Sequence, residues 1–244
     1  MVRMSTGPRL WPTLANWWRE NSARDGAWRA ARRLATEVCE YLRDSLPDRR
    51  RQRYGDIDYD FDFHVNTTGA TVSWRDRLLG HFLSPYQPTE PALFHEMLAA
   101  LAIDFSQFTF VDLGSGKGRT LLMASDYPFR KIVGVELLPA LHRAAEENVQ
   151  AYRRDTRKCL AIELVLGDAR GYVLPNDPLV LYLFNPLPKA ALVEVIDKLG
   201  ASLRAHARPL YVIYHNPLLE SVVARQEWLT KIAGTHQYVI FTGR

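Results

Sequence analysis

The period of the apolar residues changes along this chain, and with it the element each segment can form. Up to residue 54 the spacing is helical. Trp28, Ala31, Ala35, Val38 and Leu42 recur every three or four positions, with Arg29, Arg32, Arg33 and Arg43 off that stripe. Helices are predicted over Trp11–Asn21 and Ala23–Ser45, ended by Pro47 and the charged run Asp48 to Arg53. From Asp56 to Phe63 the period drops to two. Acids at 56, 58, 60 and 62 alternate with apolar residues, the pattern of a strand or extended arm with one wet face. Pro85 and Pro88 rule out a regular helix over 84–90. Helical spacing returns over Pro91–Leu101, with Thr89 as the expected N-cap and Pro91 in the first turn.

Beyond that helix, apolar runs and amphipathic stretches alternate regularly. Strands are predicted at about 108–113, 131–135, 160–166, 179–184 and 208–214. Helices fall at 117–126, 138–152 and 188–204, with a short one near 218–226. Trp228–Ala233 and Gln237–Thr242 flank Gly234 as a hairpin. The near-continuous apolar runs Leu179–Phe184 and Leu210–Tyr214 belong to strands buried on both faces, so the sheet is mostly parallel. The expected fold class is α/β, a Rossmann-like sheet with a C-terminal antiparallel hairpin and an N-terminal helical appendage. The boundaries divide the chain into a basic appendage (1–54), an extended arm (55–90) and an α/β domain (91–244).

Charge adds one asymmetry. The chain of 244 residues carries a net +4, but residues 1–54 hold twelve arginines and six acids. That segment is +6 and the remainder −2. With Trp11, Trp17, Trp18 and Trp28 interleaved, it suits either an acidic partner such as a nucleic acid or an amphipathic helical layer with a solvated basic face. The second reading is preferred. The aspartates at 56–62 admit a cation or basic substrate, or an arm whose aromatic side packs while its acids meet water. The latter is preferred because no calcium-type glycine loop accompanies them. Two cysteines, Cys39 and Cys159, form neither a disulfide framework nor a metal cluster. No apolar run reaches membrane-spanning length, and no secretory signal pattern is present. A cytoplasmic location without membrane association is expected.

The candidate chemistry centres on Phe110-Val-Asp-Leu-Gly-Ser-Gly-Lys-Gly-Arg119, an apolar strand that breaks into glycines at 114, 116 and 118 and leads into a helix. A dinucleotide fingerprint would need its third glycine at 119, where the chain has Arg119. A P-loop would need Gly at 111 and Ser or Thr at 118, where the chain has Val111 and Gly118. Asp112, just before the turn, would repel a phosphate. The turn therefore suits a ligand that is not a polyphosphate.

Val-Asp-Leu-Gly-Ser-Gly-Lys-Gly resembles the first motif of class I S-adenosylmethionine-dependent methyltransferases. The resemblance implies that Gly114, Gly116 and Gly118 admit the cofactor to the backbone and that Asp112 helps hold its amino-acid end. Glu136 ends the second strand, 24 residues after Asp112, where a carboxylate would read the ribose diol. Its alternative role is to stabilise the start of the next helix. Asp168 resembles the family's adenine contact, flanked by the backbone N–H of Ala169, though a turn-capping role is open to it. Asn185-Pro186 after the fourth strand resembles half of an Asn-Pro-Pro-aromatic motif that orients an acceptor nitrogen. Leu187 and Pro188 replace the rest, so a strand-ending turn is an equal reading. Histidine 215, after strand five, is a candidate general base or a structural residue. Over residues 84–136 the chain also resembles Dot-type lysine methyltransferases and their bacterial relatives, which makes Tyr86 and Thr89 candidate cofactor contacts. The implied activity is methyl transfer, most plausibly to nitrogen of protein lysine or a small amine. Alternatives are RNA methylation and a binding module that keeps the fold as a scaffold. An NAD-dependent oxidoreductase is disfavoured by Arg119.

Overall fold

A computed structural model describes residues 15, 18–19, 21–24, 26–32, 34–35, 57–68, 87–184 and 187–243. Tyr86, Asn185 and Pro186 lie outside the described residues.

The sheet has seven strands: β1 (Thr109–Leu113), β2 (Lys131–Glu136), β3 (Ile162–Leu166), β4 (Leu179–Phe184), β5 (Leu210–His215), β6 (Leu229–Gly234) and β7 (Tyr238–Gly243). Their order is β3-β2-β1-β4-β5-β7-β6. The first five run parallel, β7 is antiparallel to β5, and β6 is antiparallel to β7. This is the Rossmann-like α/β sheet with the closing hairpin that the apolar pattern predicts. Chain progression reverses between β1 and β4. In open parallel sheets, ligand crevices form outside the carboxyl ends of the strands at such a reversal.

The α-helices with described bounds are α1 (Ile57–Phe63), α2 (Pro91–Ala99), α3 (Arg119–Ala124), α4 (Pro139–Ala151), α5 (Lys189–Ala205) and α6 (Glu220–Ala224). Alternation along each strand sends side chains to two cores. Val111, Leu113, Leu181, Leu183, Val212 and Tyr214 face α5, whose Leu192, Val195, Ile196, Leu199 and Leu203 make the stripe expected of a helix. Gly200 lies in that stripe because Trp228 fills the space a side chain would need: an added Cβ would sit 2.9 Å from the indole. On the opposite face Phe110, Ile132, Val180, Tyr182 and Ile213 pack against Phe94, Met97 and Leu98 of α2 and Leu121 and Met123 of α3. Phe94 meets Phe110 and Tyr182 edge-on, with ring centroids 6.0 and 5.9 Å apart. Each large apolar side chain removed from water here stabilises the fold by about 1.5–3 kcal/mol.

Three expectations are corrected. Residues 57–63 form a helix and not an extended arm. A helical turn places Tyr59 and Phe63, four residues apart, on one inward face, with centroids 4.8 Å apart, and Phe63 against Tyr152 at 5.5 Å. That burial of aromatics outweighs the period-two pattern, and His64 at φ 55 ends the helix. Thr89 does not cap α2. The cap position is Glu90, without a side-chain bond, because the Thr89 hydroxyl finds a partner in the sheet. In the appendage the helix break falls at Gly26 (φ 83), and the inward position is Ala30, while Trp28 is 83% exposed. The predicted stripe through Trp28 is therefore rotated among the described residues.

No helix among the described residues is long and apolar enough to cross a membrane. Among them no cluster of His, Cys, Asp and Glu could hold a metal, and Cys159 is a buried free thiol.

Candidate functional site

The glycine turn joins β1 to α3. Gly114, Gly116 and Gly118 all have positive φ, at 91, 55 and 82°, a region that side chains with a Cβ avoid. The turn is pinned to β2: Gly114 and Ser115 donate N–H bonds to the Val135 carbonyl at 2.8 and 3.1 Å. It also lies hard against Gly134. A Cβ there would approach Leu121 Cδ1 to 2.4 Å and Ser115 Oγ to 2.8 Å. Gly134 is thus as necessary to the turn as its own glycines. It sits in the strand rather than the motif, so spacing did not single it out.

Asp112 is 2% exposed in the middle of the sheet, opposite Gly134 on one side and Tyr182 on the other. Its Oδ2 accepts from the Thr120 hydroxyl. Its Oδ1 is buried and has no hydrogen-bond partner, and the same holds for Ser115 Oγ. Burial pushes the Asp112 carboxyl up to about 7; the Thr120 bond opposes the shift and the nearby Glu136 carboxylate adds to it. An unpaired buried carboxylate oxygen is costly unless a cation or donor reaches it. An ammonium group is the partner it fits.

Glu136 projects from the end of β2 beneath the turn. Oε2 accepts from Gly116 N–H at 2.8 Å and Oε1 from Leu138 N–H at 2.7 Å. Burial raises its carboxyl, against those two bonds. Each oxygen keeps a second lone pair, so the carboxylate can still accept from a diol. Glu136 thereby fixes the turn and the start of α4.

Asp168 caps a single 3₁₀ turn, Ala169–Gly171, by accepting from Arg170 N–H at 2.8 Å. Its carboxylate is also bound two-handedly by the Arg170 guanidinium, at 3.0 Å from Nε and 2.5 Å from Nη2. That guanidinium holds the carboxyl below its usual range. The turn-capping role is the one made here, and an adenine amine would have to share the carboxylate with Arg170.

Two cations of the turn were not assigned from the sequence. Lys117 is fully buried and donates from Nζ to Asn66 Oδ1 at 3.1 Å; burial lowers its ammonium to about 8. Arg119, 2% exposed, donates to the Thr67 and Thr68 hydroxyls at 2.6 Å each and to Asp60 at 3.3 Å. Its guanidinium lies 4.7 Å from the centre of the Tyr59 ring. Burial opposes ionisation of Asp60, but hydrogen bonds from Thr67 and Thr68 outweigh it and hold the carboxyl below its usual range. Asn148 of α4 completes the clamp, donating to the carbonyls of Asn66 and Lys117. The arm is therefore anchored on the glycine turn by the very residue, Arg119, that breaks the dinucleotide fingerprint. The available signal was a buried charge: an arginine opening an apolar helix needs an acid, and the aspartate run was the nearest unassigned source.

At the other end of the crevice the side chains form a chain. The Thr89 hydroxyl and the Tyr182 hydroxyl are 2.8 Å apart, and Tyr182 Oη is 2.8 Å from His215 Nδ1. The His215 ring stacks on Phe184 at 3.8 Å, since the two residues are register partners at the ends of β5 and β4. Burial depresses the imidazole to about 4. The Thr89 side chain is thus turned into the sheet, and its expected place as a cofactor contact is taken by this bond.

No protein-family model matches the chain, and no curated protein matches its sequence. Solved structures follow a similar course. An RNA methyltransferase from Salinibacter ruber, crystallised with S-adenosyl-L-homocysteine, is 19% identical over 64% of this chain and 92% of its own, with a TM-score of 0.44. A predicted N6-adenine-specific DNA methylase from Listeria monocytogenes is 12% identical over 66% of this chain and 52% of its own, at 0.48. The glycopeptide N-methyltransferase MtfA, crystallised with sinefungin, is 12% identical over 66% and 88%, at 0.46. None of these three is a Dot-type lysine methyltransferase, the relation expected from residues 84–136.

Proposed function

We propose that the chain is a methyltransferase that uses S-adenosylmethionine, with nitrogen as the acceptor atom. The observation that carries this reading is the buried, unpartnered Asp112 Oδ1 beside a turn of three left-handed glycines. A carboxylate oxygen there fits the cofactor's α-ammonium, the glycines leave room for its backbone approach, and Glu136 fits the ribose diol. Asp168 and Ala169 are assigned to the adenine. The cofactor supplies an electrophilic methyl group on a sulfonium. The protein's part is to hold that methyl in line with the acceptor lone pair, which by itself accounts for much of such a rate enhancement. Transfer would exchange the S–C bond for an N–C bond, with a neutral thioether leaving and the acceptor's proton passing to solvent. Asn185 and Pro186, next after Phe184, are assigned to orienting the acceptor.

Protein lysine, a small-molecule amine and RNA are the acceptor classes in view, with Dot-type kinship as the argument for lysine. The exposed Trp28, with exposed Arg29 and Arg32 beside it, favours an appendage that engages an acidic partner. Deleting residues 1–54 should then weaken partner binding and leave cofactor binding intact. Calorimetry with S-adenosylmethionine and S-adenosylhomocysteine tests the main reading, and absence of heat with both would end it. Transfer of labelled methyl groups to lysate fractions, sorted into protein, RNA and small molecules, identifies the acceptor.

A further inference from the structure

The chain Thr89–Tyr182–His215 has a direction. Thr89 is 2% exposed, and among the described residues its hydroxyl bonds only to Tyr182 Oη. The Tyr182 hydroxyl is fully buried and, among the described residues, bonds to Thr89 and to His215 Nδ1. A threonine hydroxyl has one proton to give. If Thr89 accepted from Tyr182, its own proton would be buried with nowhere to go, at the full desolvation cost of that group. The satisfied arrangement is unique: Thr89 donates to Tyr182, Tyr182 donates its single proton to His215 Nδ1, and Nδ1 therefore carries none. Burial keeps Tyr182 a phenol and His215 neutral, consistent with that pattern. The ring proton then sits on Nε2. That atom lies on the side of the ring away from the buried Tyr182 hydroxyl and bonds to nothing among the described residues. The ring sits at the carboxyl ends of β4 and β5, stacked on the half-buried Phe184 ring.

We propose that His215 is a hydrogen-bond donor of the acceptor subsite, its Nε2–H held outward by the buried Thr89–Tyr182 hydroxyl pair, and that the acceptor it fits carries an oxygen or ring-nitrogen lone pair beside the methylated atom. The inference rests on the methyl-transfer reading for the identity of the subsite, but the proton's position does not. A nucleobase edge or an amide fits this donor, whereas an isolated lysine ammonium offers it no lone pair. The general-base role considered from the sequence is excluded in this arrangement, because the outward nitrogen already holds a proton.

The test has two arms. Nitrogen-15 imidazole spectra of the full chain at neutral pH, with and without S-adenosylhomocysteine, should show His215 protonated on Nε2; protonation on Nδ1 overturns the proposal. In labelled methyl transfer to the responsive lysate fraction, His215→Phe should raise KM about tenfold, the size of one lost hydrogen bond, and leave kcat nearly level. His215→Gln, which returns an N–H to that position, should recover most of the loss. A fall in kcat with both variants at unchanged KM would instead make His215 a base and overturn the donor role. If calorimetry shows no cofactor binding while the Nε2 tautomer is found, the methyl-transfer reading fails and the hydroxyl chain stands.

Discussion

The two halves of the crevice are built on opposite principles. Under the glycine turn, polar atoms are left wanting: Asp112 Oδ1 and Ser115 Oγ are buried without partners. Beyond β4 and β5 the polar atoms are satisfied in series, Thr89 to Tyr182 to His215, each at 2.8 Å. Unsatisfied groups hold free energy that a ligand recovers on binding, whereas a satisfied chain fixes the orientation of the one atom it leaves facing out. The first arrangement suits a tightly held cofactor and the second a substrate that must come and go.

Five perturbations break or sharpen this contrast. The largest effect is expected from Gly134→Val, which drives a side chain into Leu121 and Ser115. Overpacking of this kind costs about 1–3 kcal/mol, and more where the contacts are this close, read as a fall in melting temperature with loss of cofactor binding. Next, Asp112→Ala should weaken S-adenosylhomocysteine binding by about 1–3 kcal/mol in calorimetry, the range for a lost charged hydrogen bond.

The same carboxylate sets a pH dependence. Its value is raised from 3.8 to about 7 in the fold, so between those limits the folded protein keeps a proton that the unfolded chain has released. Stability without ligand should therefore fall as pH rises from about 4 to 7, and Asp112→Asn should remove that slope in thermal melts. A cation beside Asp112 favours the ionised form, so ligand binding should release a proton and tighten as pH approaches 7. Affinity independent of pH in that range would remove Asp112 from the ammonium site.

Tyr182→Phe acts on the other half. It leaves Thr89 and His215 Nδ1 unpaired, so stability should drop by about 1 kcal/mol or somewhat more, with cofactor affinity unchanged. A loss of cofactor affinity equal to that of Asp112→Ala would mean the halves are not separable. The smallest effect belongs to Arg170→Ala. The Asp168–Arg170 pair is half-exposed, so its removal should change stability by less than about 1 kcal/mol. Freed of Arg170, Asp168 should bind the adenine amine at least as well, and a marked loss of affinity would assign the adenine contact to Arg170 instead.

Much of this molecule was legible from spacing. Strand β4 falls exactly at 179–184, and β1, β2 and β5 within two residues of their expected limits. Buried parallel strands are near-continuous apolar runs bounded by glycine and polar turns, a signal that survives without tertiary context. Period failed at 57–63, where the alternation of aspartates at 56, 58, 60 and 62 suggested an extended arm and the chain forms a helix. There the deciding energy is long-range: Phe63 meets Tyr152, and Asp60 meets Arg119, partners that local pattern does not reveal.

What the sequence by itself determined is the glycine turn and the carboxylates within β1 and at the end of β2. These are local consequences of backbone geometry and of where an apolar run stops. Only the tertiary structure decided which polar atoms are left unpaired and which are chained together. Gly134 against Ser115, Arg119 on Asp60, and Thr89 on Tyr182 across 93 residues are contacts between distant segments. Whether a buried donor or acceptor is satisfied depends on the neighbour that packing brings to it, and no spacing rule along the chain encodes that neighbour.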